Sequence, residues 1–420
     1  MIIRVPFGTG TIAAEIPDSL RVHVVDPKTE AVTGTEEERI EAALDAPIGT
    51  ARLEETAKPG DKVLIVVNDH TRPGPNRQIV AAVLERLHRA GVPDADIRFI
   101  CATGSHRAPT DSEMRAIVGD EVVEKYEIVM HNCRDKDSLY RLGEIDGLDI
   151  WLNKAVREAD LVITTGLIAP HHTAGFSGGR KSILPGVTGL DTLRVHHSLP
   201  MRPYNPSMGV LEGNRFHDVA LAAAKLAGVR FMINAVQDLK KQNVCYVAGD
   251  IELAHAEGVR ICREHNSVSI PALADVVVCS PGGYPRDSDL YQAQKGLAVA
   301  ETLVKPGGTV ILCARSELGV GEGLFPQWMK EGESPEAIIE RYKKEGFNVG
   351  NNKAFMYARA LLRAKILVVS ELLDKEELKE MFLDWAPDLQ SALDRVLPDY
   401  DDPLVTVLPR AVSMIPRVTE

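Results

Sequence analysis

Twelve histidines occur in the 420 residues, and eight of them fall between His70 and His197. Imidazole exchanges protons near neutral pH and is the commonest metal ligand. The histidines are gathered with other reactive side chains in short segments. The first is Asn68-Asp69-His70-Thr71-Arg72-Pro73. Arg72 offers a planar fork for a carboxylate or phosphate, and Asp69 can accept from a ribose hydroxyl or orient another group. Without its neighbours, the same segment is a polar turn closed by Pro73. The second is Ala102-Thr103-Gly104-Ser105-His106-Arg107. It places His106 behind a glycine, where it is either a general base or a solvated loop histidine.

The richest segment runs from Gly166 to Gly186 and contains Pro170-His171-His172, Gly178-Gly179 and Arg180-Lys181. Its glycines expose backbone N–H groups able to cradle a phosphate. Lys181 is a phosphate contact or, with a lowered pKa, a point of covalent attachment. A nucleotide-hydrolase loop is not the reading, because counting from Gly175 the sixth position is Arg180 rather than Gly. His196-His197 offers ligands for zinc, nickel or copper. No H-E-x-x-H and no C-x-x-C accompanies them, so a standard zinc site lacks its partners. A metal held by one histidine would draw its other donors from elsewhere, a cofactor included.

Parallel α/β architecture is what would position these segments. Met1 to Asp18 alternates as a hairpin. Val63–Val67, Ile97–Cys101 and Leu161–Thr164 are short apolar runs that read as strands, and each precedes one of the reactive segments. Between them, Gln78–Ala90 carries a helical stripe, and Thr110-x-x-Glu113 is a capping box. His217–Leu226 reads as a helix. After Ile270-Pro271 the pattern restarts: strand Ala274–Cys279, helix Asp289–Val304, strand Thr309–Cys313, helix Pro335–Glu345, strand Lys365–Val369. Two domains follow, 1–270 binding a cofactor and 271–420 capping a substrate, with Leu404–Leu408 free to return to either. On the helix Asp289–Val304, Leu290, Ala293, Leu297, Ala300 and Val304 share one stripe. Tyr291, Gln292 and Lys295 fall opposite, as a solvated face or as a phenol, an amide and a cation presented to a small acid.

Composition narrows the function. With Lys+Arg 48 against Asp+Glu 60 the net charge is −12, which argues against a general nucleic-acid binder. A local cluster of cations still suits a small anion. Six cysteines without a C-x-x-C pair read as buried free thiols of a reducing cytosol. No apolar stretch at the start resembles a signal peptide, and none approaches a membrane span, so a cytoplasmic location is expected. A nicotinamide dehydrogenase would want G-x-G-x-x-G after an early strand, where Asn68-Asp69-His70 stands instead.

The segments from Asn68 to Pro73, from Ala102 to Arg107 and from Pro170 to Gly186 form an ordered set. His197, Tyr291-Gln292-x-x-Lys295 and Lys353-Ala354 with Ala358-Arg359 complete it. Together they resemble the nickel-dependent lactate racemase family, over residues 68 to 359. The resemblance implies an α/β fold of two domains, each a mostly parallel sheet flanked by helices, with the active site in the cleft between them. It implies a nickel-pincer cofactor, pyridinium-3-thioamide-5-thiocarboxylate mononucleotide, tethered to Lys181. His197 would ligate the nickel, with His196 the adjacent alternative. Asp69, Thr71, Gly178 and Gly179 would contact the nucleotide.

By the same resemblance, a 2-hydroxy acid is racemised by hydride abstraction from Cα through a 2-keto acid. His106 and His171 are the acid/bases, His172 being the less favoured neighbour of the latter. Arg72 and Lys295 would hold the carboxylate, assisted by Tyr291 and Gln292. Near Phe355, a wall residue, the sequence departs from the bulkier aromatic implied for the lactate enzyme. Malate or another larger 2-hydroxy acid therefore stands beside lactate, and Arg286 and Arg315 would favour a dicarboxylate. The implied partners are the substrate and cofactor-biosynthesis enzymes, without nucleic acid or membrane, and a homodimer is left open. A non-catalytic cofactor carrier is the alternative of another class; the presence of both histidines favours catalysis.

Overall fold

The computed structural model describes residues 1–25 and 32–419. The chain packs as two units. One comprises Thr29–Pro203 and Gly209–His265, the other Met1–Lys28, Tyr204–Met208 and Asn266–Glu420.

The first unit is built on a six-stranded sheet. Its strands run Asn243–Gly249, Val229–Gln237, Leu161–Ile168, Val63–Asn68, Ile97–Ala102, Glu127–Met130 across the sheet. Only the Asn243–Gly249 edge is antiparallel. Val63 to Val67 are all buried, which explains an apolar run without alternation: the strand is covered on both faces. The helix Asn76–Arg89 buries Ile79, Val80, Val83, Leu84 and Leu87, the stripe read from the sequence. From Val63–Asn68 the chain first builds the sheet one way, then crosses back to Leu161–Ile168 on the other side. Such a reversal opens a crevice at the carboxyl ends of the two strands, where ligands of open α/β sheets bind.

The second unit is built on a six-stranded sheet, all parallel, ordered Asp384–Ala386, Lys365–Val369, Val304–Cys313, Ala274–Cys279, Leu404–Leu408, Arg21–Val24. A cut into 1–270 and 271–420 misses this N-terminal edge strand. Ile3, Val5, Phe7, Ala14 and Ile16 of the opening hairpin share a core with Val276, Val278, Ile311 and Val405, so burial draws the first residues into the second unit. Leu404–Leu408 lies beside Ala274–Cys279 and stays there too. The helix Leu290–Leu303 buries Leu290, Ala293, Leu297 and Ala300 completely. All six cysteines are free thiols, five of them buried. Among the described residues no helix is long and apolar enough to cross a membrane.

Candidate active site

Three reactive segments of the first unit leave carboxyl ends of its strands, and the fourth, His196-His197, ends a helix. Val63–Asn68 ends into Asp69, a residue 2% exposed. Its Oδ2 lies 2.7 Å from His106 Nδ1, on the loop after Ile97–Ala102. The other oxygen, Oδ1, accepts from the Thr71 amide at 3.0 Å and the Thr71 hydroxyl at 2.6 Å. Arg72 Nη1 donates back to Thr71 Oγ1 at 2.9 Å. Burial pushes the Asp69 carboxyl up, but the hydrogen bond and charge of His106, with Thr71 and Arg72, outweigh it and hold the group below the usual carboxylate range. An exposed imidazole thus stands on a buried carboxylate. Asp69 and Thr71, expected against a nucleotide, are engaged with His106 and Arg72.

The loop after Leu161–Ile168 is laced to the His106 loop: Gly104 N–H donates to Gly186 O at 2.9 Å, and Gly186 N–H to Lys181 O at 3.0 Å. Gly178 and Gly179 both have positive φ, 79° and 51°. A Cβ would meet Asn234 Oδ1 at 2.5 Å from Gly178 and His255 at 2.8 Å from Gly179. Gly179 N–H already donates to Asn234 Oδ1 at 2.8 Å. The glycines are therefore required by the protein's own packing, and the Gly179 amide is engaged by the Asn234 side chain.

Arg180 is fully buried without a carboxylate among its hydrogen-bond partners. It donates to the carbonyls of Ala174, Phe176, Ser177 and Gly178, and lies 2.7 Å from His255 Nε2. Burial lowers its guanidinium to about 9. Beside it, the Lys181 amine is driven well below the ordinary lysine range, by desolvation first and then by the charges of Arg180 and Arg72. A neutral amine is the nucleophilic form.

Phe216, on the helix Arg215–Leu226, brings Lys181 and the histidine pair together. Lys181 Nζ is 5.3 Å from the ring centroid, His196 stacks at 3.8 Å and His197 meets the ring edge-on at 5.0 Å. The two histidines end the helix Leu190–His196 and differ in what they offer. His196 is fully buried, its Nε2 3.0 Å from Phe216 O, and burial lowers it to about 3. His197 Nδ1 donates to Leu193 O at 3.1 Å, which leaves the lone pair on Nε2. A ring N–H anchored on a backbone carbonyl is the usual support of a metal-ligating histidine. Among the described residues no three His, Cys, Asp or Glu side chains converge as a metal site.

His171 stacks on His172, ring centroids 4.8 Å apart. Its Nδ1 accepts from the backbone N–H of Thr173 and of Ala174, each at 3.1 Å.

In the second unit Tyr291, Gln292 and Lys295 are half-buried together. Lys295 Nζ donates to Gln292 Oε1 at 2.7 Å. Lys353, buried, donates to Gln294 Oε1 at 3.0 Å, and its Nζ lies 5.0 Å from the Tyr291 ring centroid. Asp289 caps the helix; burial raises its carboxyl despite the Gln292 amide and the nearby Lys353 and Lys295. Phe355 is wholly buried, stacked on Tyr342 at 4.6 Å and edge-on to Tyr204 at 5.5 Å, which is a core position. Arg315 is paired with Glu317 and Glu371, and Arg286 donates to Ser413 Oγ at 3.1 Å. Phe216, Asn234, Arg180 and His255 are the site residues that pattern reading missed. Phe216 and Asn234 sit in ordinary amphipathic or apolar segments, which carry no chemical signal.

Two sheet-based α/β units, one clustering a histidine–aspartate pair, a buried lysine of lowered pKa and a histidine pair, define an α/β protein with its reactive side chains gathered in one unit. Residues 7–209 match the model of the lactate racemase N-terminal domain, and residues 270–416 that of the lactate racemase C-terminal domain. The chain is 34% identical over 425 residues to the lactate racemase of Thermoanaerobacterium thermosaccharolyticum, covering 99% of each chain. It is 35% identical over 426 residues to that of Lactiplantibacillus plantarum, covering 98% of this chain and 99% of the relative. The solved structure of the lactate racemase apoprotein from T. thermosaccharolyticum superposes with TM-score 0.93, over 99% of this chain and 100% of that one, at 34% identity. A Thermotoga maritima protein structure at 16% identity and TM-score 0.68, over 91% of this chain and 98% of that one, shares the fold. The chain belongs to the lactate racemase family, and it is an isomerase.

Proposed function

We propose that the protein racemises or epimerises a 2-hydroxy acid, lactate first, with a nickel-pincer nucleotide bound through Lys181. The carrying observation is the pairing around Phe216 of a buried lysine amine, lowered well below the ordinary lysine range, with a histidine whose Nε2 lone pair is set by a backbone carbonyl. The donor set fits such a group: the lysine gives the tether and His197 one ligand, and the group brings the other donors. When bound, it supplies a reversible acceptor for the Cα hydride.

The protein's own side chains do the rest. His106 removes or returns the hydroxyl proton, and Asp69 stabilises the charged imidazole. His171 acts at the substrate oxygen for the opposite enantiomer. Loss of hydride rather than of the Cα proton avoids a carbanion beside a carboxylate and leaves a flat 2-keto acid that can be reduced on either face. Arg72 and, on the other unit, Lys295, with Gln292 and Tyr291 beside it, are cations of the kind a carboxylate takes. Each positioned proton-transfer group contributes about 10²–10⁴-fold. The engagement of Arg315 and Arg286 by their own partners supports a monocarboxylate over malate.

The test is intact mass and nickel content of protein produced together with the cofactor-synthesis enzymes, followed by chiral analysis of lactate. A mass adduct absent from Lys181→Ala, bound nickel and interconversion of the enantiomers are expected. Loaded protein that leaves every 2-hydroxy acid unchanged would make it a carrier.

A further inference from the structure

The mechanism above treats His106 and His171 as equals, but their hydrogen bonds are not alike. Asp69, held below the usual carboxylate range, faces His106 with a group that only accepts. His106 Nδ1 is therefore the donor, and the neutral ring keeps its lone pair on Nε2. At His171 the partners are reversed. The backbone N–H groups of Thr173 and Ala174 only donate, so Nδ1 accepts and the neutral ring carries its hydrogen on Nε2. Turning that ring over would set a C–H against both amides, so the amides choose its orientation.

We infer that the two histidines rest in opposite tautomers: His106, positioned by Asp69, is the proton acceptor, and His171, positioned by the Thr173 and Ala174 amides, is a hydrogen-bond donor. This deepens the racemase reading and rests on it. The substrate hydroxyl proton passes to His106 Nε2, and the imidazolium formed is neutralised by the Asp69 carboxylate. His171 offers Nε2–H to an oxygen on its own side. To become a base there, it must carry hydrogen on Nδ1, and both amide bonds must then open. The turn resists: Asn214 Nδ2 donates to Thr173 O at 2.9 Å and Arg180 Nη2 to Ala174 O at 2.9 Å. The two enantiomers are thus handled by unlike devices, one poised and one needing a local rearrangement.

The decisive measurement is long-range ¹H–¹⁵N NMR of histidine-labelled protein without cofactor, at a pH where both rings are neutral, assigned with His106→Gln and His171→Gln. His106 should show a protonated Nδ1 and a bare Nε2, and His171 the reverse. Asp69→Asn adds a sharper arm. Thr71 donates twice to Oδ1, so oxygen stays there and the carboxamide NH₂ replaces the oxygen facing His106. That NH₂ should drive His106 into the Nε2–H tautomer, leave His171 unchanged and, in the loaded enzyme, lower kcat more than it alters KM. The same tautomer for both histidines, or no response of His106 to Asp69→Asn, overturns the inference. Opposite tautomers in a protein that racemises nothing when loaded would leave the inference standing and sink the racemase reading; racemisation with matching tautomers does the converse.

Discussion

Lys181 Nζ and Phe216 meet with 5.3 Å between the nitrogen and the ring centroid, and the same ring carries His196 and His197. The ring does two jobs, desolvating the amine and fixing the histidines. Phe216→Leu separates them, since leucine keeps the apolar cover but not the stacking surface. Lys181 should remain reactive toward an amine-directed electrophile at neutral pH, read by peptide mass. Nickel affinity of the loaded protein should fall about 10–100-fold, the usual cost of losing a ligand's outer support. Equal nickel affinity in wild type and variant would remove Phe216 from the site.

Lys295 and Gln292 present a cation already hydrogen-bonded to an amide on a helix whose other stripe is core. A charge-assisted hydrogen bond contributes about 1.5–3 kcal/mol. Lys295→Met should therefore raise KM for the hydroxy acid about 10–150-fold with a smaller change in kcat. A change confined to kcat, in steady-state racemisation, would assign Lys295 a different role.

Arg359 and Glu301 form a two-pronged pair at 2.7 and 2.8 Å with both side chains 6% exposed. Burial raises the Glu301 carboxyl even so, against the pull of Arg359. Glu301→Gln leaves the guanidinium without its charge partner and should cost about 3–5 kcal/mol. Replacing both members with apolar residues should cost less than that single change. Thermal or urea unfolding of the three proteins checks the order, and a double variant weaker than the single one contradicts it.

His131 is 2% exposed and is lowered to about 4, chiefly by burial, against a carbonyl hydrogen bond to Thr188. The unfolded chain binds this proton below about pH 6.5 while the native state does not. Stability from this residue is therefore complete above pH 6.5. It falls by about 1.4 kcal/mol per pH unit on acidification, and levels off near the native value. Unfolding midpoints of wild type and His131→Gln between pH 7 and pH 4.5 should converge as the pH drops. Parallel curves would show that His131 is protonated equally in both states.

Much of this protein is legible in residue order. Strands such as Val63–Asn68 and the helix Pro335–Glu345 announce themselves by burial pattern and caps, because those are local consequences of the chain's own periodicity. The reactive loops are legible too: functional groups at strand ends occur as clustered Asp, His, Arg and Lys, and Asp69, His106, His171 and Lys181 stand out that way, with His197 beside His196 at a helix end. Three decisions were not local. Sending Arg21–Val24 to the far sheet depends on which core has room for the hairpin's apolar face, and alternation alone is the same in either sheet. Burying Phe355 against Tyr342 and Tyr204 depends on segments far away in sequence. The tautomers of His106 and His171 depend on one carboxylate 37 residues upstream and on two amides of a folded turn. A ring's identity is written in the chain, but the nitrogen that carries its proton is chosen by whatever the tertiary structure sets against it.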